Sequence, residues 1–81
     1  MLAERADITE EITRLRSHFQ AFSRFMLGSE PCGRPLDFLC QEMHREFNTI
    51  GAKANHAAIA HAVVAAKTAL ESMREQVQNL E

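Results

Sequence analysis

The chain has 81 residues and a mass of 9.1 kDa, which is enough for one small domain and too little for separate cofactor and substrate domains. Hydrophobic residues make up 46% and charged residues 25%, with only three glycines and two prolines, so the composition excludes a disordered chain and favours helices. A net charge of -2 argues against a dedicated duplex-DNA binder, although it leaves room for a local RNA site. Because no segment has the apolar run of a membrane span or a signal peptide, we expect a cytoplasmic protein without a membrane partner.

Apolar residues that recur at steps of four and three predict a first amphipathic helix at about 7–27. Asp7 and Glu10 have the spacing of a capping box at its start, and Gly28 stands where a left-handed residue would end it. Because two prolines and a glycine follow closely, we predict a loop at 28–34. The apolar stripe expected to face the core consists of Ile8, Ile12, Leu15, Phe19, Phe22 and Met26.

The same spacing predicts a second helix at about 35–53, with Pro35 in its first turn, and a third at about 56–80. The apolar face rotates between them, so the chain either turns near residues 51–56 or continues as one helix with two faces. Asn55 is a fair helix cap and favours an interruption. The second stripe consists of Leu36, Cys40, Met43, Phe47, Ile50 and Ala54, and the third of Ile59, Val63, Ala66, Leu70, Met73, Val77 and Leu80.

These three stripes predict an all-α fold in one domain, residues 1–81, whose long amphipathic helices form an antiparallel helical hairpin or a three-helix bundle. A bundle of this size has one interior, yet five large apolar residues fall off the stripes. For each residue alone the alternative is a broader core stripe, but five together favour association into a homo-oligomer. These residues are Phe25, Leu27, Phe38, Leu39 and Val64.

Polar rows accompany the second and third stripes. Glu42 and Glu46 share one face of the second helix, and Glu71 and Glu75 lie together on the third. Carboxylates at this spacing on two facing helices can hold a divalent metal ion such as Mg or Mn through oxygen ligands. The same spacing also describes ordinary surface ion pairs, which is the alternative.

The cysteines and histidines give weaker signals. Cys32 and Cys40 are eight residues apart, without a CxxC motif or a second ligand pair, so we expect both thiols to be reduced. The four histidines lack the spacing of an acid–base pair and are expected to be surface or structural residues. Composition and spacing alone therefore predict a helical association module.

Two stretches carry a family resemblance: LDFLCQEMHREFNTIGAK at 36–53 and ESMREQVQNLE at 71–81. Both resemble the C-terminal domain of the YicC-like family of bacterial endoribonucleases, and ADITEEITRLRSH at 6–18 is similar to the segment that precedes it. Members of that family are several times longer, have an N-terminal domain and are understood to form hexamers that act on single-stranded RNA. The resemblance therefore implies RNA as a partner, and we expect little or no nuclease activity from this chain alone.

The resemblance also makes the polar rows candidates for a functional site. From charge type and helix face, the carboxylates are expected to transfer protons or to bind a divalent metal ion, and the basic and amide side chains to contact RNA. The catalytic and metal candidates are Glu42, Glu46, Glu71 and Glu75. The RNA-binding candidates are Gln41, Arg45, Asn48, Lys53, Arg74, Gln76 and Asn79. The alternative from a different class is a non-catalytic helical oligomerisation or interaction module.

The sequence departs from the family pattern at several positions where a usual polar, charged or amide residue is replaced. If the lost groups serve catalysis, the chain is inactive, whereas if they cap a helix or solvate a face, the alanines raise helix propensity. We favour the second interpretation because the QExxRE and REQ segments are intact. The departures are Pro35, His44, Ala52, His56, Ala58, Ala60 and Ala65.

Overall fold

A computed structural model describes residues 7–28, 33–54 and 56–80 of the chain. These ranges contain three helices and no strand: α1 at Thr9–Leu27, α2 at Gly33–Lys53 and α3 at Ala57–Leu80. The predicted all-α fold is confirmed. None of these helices combines the length and the apolar character needed to cross a membrane.

The three helices form a single antiparallel layer with α2 in the middle. Lys53 at the end of α2 contacts Glu11 near the start of α1, and Asp37 near the start of α2 contacts Arg74 near the end of α3. Within the described ranges α1 and α3 make no contact with each other. The Cα atoms extend over 50 × 20 × 14 Å, so the two flanking helices each bury a face against α2 only.

The first helix begins differently from the predicted capping box. Asp7 Oδ1 accepts a hydrogen bond from the Thr9 backbone N–H at 3.0 Å, so one free amide of the first turn is satisfied as expected. Glu10 does not complete the box, because its carboxylate lies 3.5 Å from Arg14 one turn later. An ion pair along the helix therefore replaces the reciprocal bond.

The end of α1 also differs from the prediction. Gly28 follows the last helical residue but has an extended conformation, with φ -80° and ψ 169°, instead of the left-handed one that its position suggested. Its N–H donates to the Phe25 carbonyl at 3.3 Å, which satisfies one terminal carbonyl without a positive φ. Of the loop predicted at 28–34, residues 29–32 lie outside the described part.

The chain is interrupted between α2 and α3. Helix α2 begins at Gly33, two residues before the predicted start, and places Pro35 in its first turn, where a missing amide costs no hydrogen bond. It ends at Lys53, and α3 begins at Ala57 after a short connection. His56 Nδ1 accepts from the Ala58 N–H at 3.2 Å and so caps α3, whereas Asn55, the predicted cap, lies outside the described residues.

The core lies along both sides of α2. Leu36 and Met43 are fully buried, and the predicted stripes of α2 and α3 face this core, except that the Leu80 side chain lies outside the described part. Leu39 lies off the predicted stripe but is buried. The reason is that α2 contacts a helix on each side and needs a broader apolar face. The buried apolar residues are Leu15, Leu36, Leu39, Cys40, Met43, Ile50, Leu70 and Val77.

The stripe predicted for α1 is confirmed at every second position and wrong at the others. Leu15 is buried and Ile8 and Phe22 pack against the core, whereas Ile12, Phe19 and Met26 are 40%, 43% and 51% exposed. Beside Leu15 the buried face includes Glu11, which is 2% exposed, so a carboxylate lies in the interface. Of the off-stripe residues, Phe25, Leu27, Phe38 and Val64 are exposed in accordance with their positions.

Candidate functional site

Two polar groupings lie on opposite sides of α2. We call the first the α1–α2 ion-pair cluster and the second the α2–α3 cleft. The α1–α2 ion-pair cluster consists of Glu11, Arg14, Glu46 and Lys53. The α2–α3 cleft is lined by Cys40, Gln41, His44, Leu70, Glu71 and Arg74 and has a volume of about 210 Å³.

The ion-pair cluster joins the start of α1 to the end of α2. Lys53 Nζ lies 2.8 Å from Glu11 Oε2, and Arg14 Nε donates to Glu46 Oε2 at 2.9 Å. Arg14 Nη2 also lies 3.7 Å from Glu11 Oε2, so the two pairs form one connected network. Since both carboxylates are buried, breaking either pair would leave a charge without its partner away from water.

The ion pairs of this cluster shift the pKa values of Glu11, Arg14 and Lys53 in the direction that favours their charged forms. The hydrogen bond from Lys53 is the main reason that the pKa of Glu11 lies below its ordinary value, and it outweighs the opposing effect of burial. The pKa of Lys53 is raised in turn, first by the same bond, and the pKa of Arg14 is raised by its bond to Glu46. Glu11 Oε1 is buried and has no hydrogen-bond partner among the described residues.

On the other side of α2, Asp37 organises the rim of the α2–α3 cleft. One of its oxygens accepts from Arg74 Nε at 2.7 Å, and the other accepts from Gln41 Nε2 at 3.0 Å. This hydrogen bond to Asp37 raises the pKa of Arg74. Arg74 makes this contact through Nε, and its side chain is 34% exposed, so the guanidinium is also accessible to a ligand.

A second set of contacts orients His44. Lys67 Nζ donates to Asn48 Oδ1 at 2.6 Å, and Asn48 Nδ2 lies 3.2 Å from His44 Nδ1. His44 lines the α2–α3 cleft and also a neighbouring groove on the α3 side that includes Glu71 and Glu75. The two interhelical contacts, Asp37–Arg74 and Asn48–Lys67, therefore lie on either side of the cleft along the helices.

The floor of the cleft is apolar. Cys40 and Leu70 are 1% and 3% exposed and pack in the core beneath it. Burial raises the pKa of the Cys40 thiol, so the thiol stays protonated at neutral pH. Cys40 therefore contributes apolar surface to the cleft, and Cys32 lies outside the described residues.

The structure separates the four predicted catalytic carboxylates. Glu46 forms an ion pair with Arg14, and Glu42 lies 3.9 Å from Arg45. Glu71 and Glu75 instead line the groove on the α3 side. Throughout residues 7–28, 33–54 and 56–80, no three carboxylate, imidazole or thiol groups are arranged to hold a metal ion. Metal binding by these carboxylates therefore stays a prediction, and we derive no step through a metal.

The predicted RNA-binding residues also lie in different parts of the structure. Lys53 belongs to the ion-pair cluster on the α1 side, whereas Gln41, Asn48 and Arg74 lie in or beside the α2–α3 cleft. Three others are exposed and lie outside both groupings, and their role stays a prediction. These are Arg45, Gln76 and Asn79.

Sequence reasoning missed Glu11, Arg14 and the contribution of His44 to the cleft. The signal for Glu11 was present, since it lies three residues after Ile8 and four before Leu15, in an alternative apolar register. A carboxylate at such a position predicts a basic partner on the facing helix. No local pattern could show that this partner is Lys53, 42 residues away.

Comparison with known proteins identifies the family. The model of the family described as "Endoribonuclease YicC-like, C-terminal" matches residues 1–81, the whole chain. The chain belongs to this family. Among curated proteins, the chain is 46% identical over 79 residues to a probable endoribonuclease YicC of Clostridioides difficile, and 42% identical over 81 residues to one of Haemophilus influenzae.

The YicC-like domain spans only part of these relatives. The matches cover 98% and 100% of this chain but 27% and 28% of the two relatives, so the chain spans just over a quarter of their length. The resemblance seen in the sequence is thereby confirmed at the level of the family.

Proposed function

We propose that this chain is the C-terminal helical region of a YicC-like endoribonuclease acting on single-stranded RNA, and that its α2–α3 cleft faces the RNA. The observation that carries the proposal is the Asp37 carboxylate, which fixes Arg74 and Gln41 together at the rim of the cleft. A rim of fixed donors around an apolar floor is a common form of a ligand site. The family names of the relatives support RNA as the substrate class.

We assign a role to each candidate side chain from its exposure and its charge. Arg45 has a 74% exposed side chain and only a 3.9 Å contact to Glu42, so it is available to an RNA phosphate. Glu71 and Glu75 are the proton-accepting groups on the cleft side of the layer. We assign Glu46 and Lys53 to positioning, because their ion pairs fix α1 against α2. A cytoplasmic location would follow from this substrate.

A chimera tests the proposal. The matching region of the Haemophilus influenzae relative is replaced by this chain, and cleavage of an unstructured single-stranded RNA is measured. We expect cleavage by the chimera and a loss of roughly tenfold or more on Arg74→Ala, since a charged donor to an RNA site is removed. The matched control is Arg24→Ala on α1, which lies away from both groupings. Undiminished cleavage after Arg74→Ala in a folded chimera would remove the proposed role of the cleft.

The exposed apolar residues of α1 favour a second function, that of a helical oligomerisation module. Ile12, Phe19 and Met26 repeat every seven residues on a helix that contacts only α2. Such a stripe is typical of a surface that packs against another helix. Both functions can coexist if assembly of subunits completes the RNA site. Light scattering tests the second, and a stably folded monomer at all accessible concentrations would contradict it.

A further inference from the structure

The proposed RNA role leaves open which part of an RNA the α2–α3 cleft binds. We propose that it receives one unpaired guanine base, an inference that rests on the proposed function. The cleft, of about 210 Å³, is smaller than the roughly 300–1,000 Å³ typical of sites for drug-sized ligands. A single flat group fits this volume.

The charges around the cleft disfavour a phosphate. Its charged lining residues are Glu71 and Arg74, and Arg74 is already paired with Asp37 at 2.7 Å. Glu71 lies close enough for its charge to act on Arg74, and Asp37 binds Arg74 directly, so the cleft has no spare positive charge and a phosphate entering it would be repelled by the two carboxylates. A neutral ligand that offers donors to Glu71 and acceptors to Arg74 avoids this repulsion.

The hydrogen bonds of Lys67 and Asn48 determine which nitrogen of His44 carries the proton. An ammonium group can only donate, so Asn48 Oδ1 is the acceptor at 2.6 Å and the Asn48 amide nitrogen faces His44. That nitrogen also only donates, so His44 Nδ1 must accept and the neutral ring carries its proton on Nε2. The neutral ring of His44 therefore offers a second donor, Nε2–H, in addition to Arg74 in the lining of the cleft.

Guanine matches this set of groups. Its N1–H and N2–H donors lie side by side and suit one carboxylate, while O6 and N7 accept from an arginine or imidazole donor. Uracil offers a single N–H between two acceptors, and the oxygens beside it would be repelled by Glu71. The apolar floor of Cys40 and Leu70 suits the face of a base, as in single-stranded RNA sites where unstacked bases pack on protein side chains.

The test measures the fluorescence anisotropy of labelled pentaribonucleotides at low salt with the full 81-residue chain. We expect UUGUU to bind roughly five- to hundredfold more tightly than UUAUU, the range for a bidentate base contact. UUIUU, in which inosine lacks the N2 amino group, should fall between them. Glu71→Gln should abolish the preference, while the matched control Glu10→Gln, at an 80% exposed side chain on α1 outside the cleft, should keep it.

Three outcomes distinguish the guanine proposal from the proposed RNA-binding function on which it rests. Equal binding of UUGUU, UUAUU and UUUUU would overturn the guanine proposal and leave RNA binding standing. A guanine preference that survives Glu71→Gln would also overturn it, because the recognition would then lie elsewhere. Absence of binding to all pentamers, with helical content retained by circular dichroism, would overturn both proposals.

Discussion

Arg74 Nε donates to Asp37 Oδ1 at 2.7 Å, and this contact fixes the C-terminal part of α3 against the first turns of α2. Both side chains are about one-third exposed, so the pair is accessible to a ligand yet has a defined geometry. The second Asp37 oxygen is used by Gln41, so one carboxylate orients two side chains of the α2–α3 cleft.

Replacing this carboxylate should loosen the cleft without unfolding the chain. Asp37→Asn removes the charge that pairs with Arg74, so we expect a lower Tm and faster hydrogen exchange in the last turns of α3. The matched control is Glu42→Gln, whose ion pair is a 3.9 Å contact to the exposed Arg45. Equal changes in the two variants would show that the Asp37 contact has no special role.

The Glu11–Lys53 pair predicts how stability depends on pH. Because the pKa of Glu11 is lowered in the folded state, its contribution is present above the unfolded value of about 4.3 and is lost as the pH falls through the folded pKa. Lys53, with a raised pKa, loses its contribution only as the pH rises above about 10.4. The free energy of unfolding should therefore decline below about pH 4.3 and stay level through neutrality.

The Glu11→Gln variant checks this assignment by chemical unfolding at a series of pH values. We expect lower stability than the parent chain at pH 7 and a shallower loss in acid, since the shifted group is gone. Glu10→Gln is the control, because the Glu10 side chain is 80% exposed and its partner Arg14 has a shorter contact elsewhere. If the free energies of unfolding of both variants depend on pH in the same way, Glu11 is not the source of the loss of stability in acid.

The stability of the three-helix layer should depend strongly on the side chains in the middle of α2. Met43 is 0% exposed and belongs to the core between α1 and α3, so Met43→Ala should lower the free energy of unfolding by about 2–5 kcal/mol. Val64→Ala, at a residue that is 65% exposed, should change it by no more than about 0.5 kcal/mol. Urea unfolding followed by circular dichroism measures both. A small effect at Met43 would contradict the central position of α2.

The protonation of His44 can be observed directly. Long-range ¹H–¹⁵N correlation should show the Nε2–H tautomer of the neutral ring, because Asn48 donates to Nδ1. Lys67→Met removes the donor that orients the Asn48 amide, so a mixture of tautomers is expected. His61, on the first turns of α3, serves as the internal reference. A pure Nδ1–H form of His44 would contradict the assignment.

Periodicity predicted the architecture well where each helix buries its most apolar face. Met43 and Leu70 were placed in the core because α2 and α3 have one dominant stripe. On α1, Leu15 is buried as predicted, but Glu11 and not Ile12 lies beside it in the interface, where Glu11 pairs with Lys53 and Arg14. The energy that decides between Glu11 and Ile12 comes from a distant segment, so no local window contains it.

The candidate site was predictable in its residue types but not in its grouping. Helix spacing correctly placed Glu71 near Glu75, and Glu42 near Glu46, yet it could not show that the two pairs belong to different sides of the layer. Which face of α2 meets α1 and which meets α3 depends on packing of the whole layer. The importance of Asp37 likewise depends on Arg74, 37 residues away.

NMR titration of the ¹⁵N-labelled chain with an unstructured pentaribonucleotide shows directly which face of the domain contacts RNA. We predict that the largest shift changes occur at Gln41, His44, Glu71 and Arg74, around the α2–α3 cleft, while the signals of the α1–α2 ion-pair cluster change little. Changes confined to α1, or spread evenly over all three helices, would contradict the claim that the cleft is the RNA-facing side of the domain.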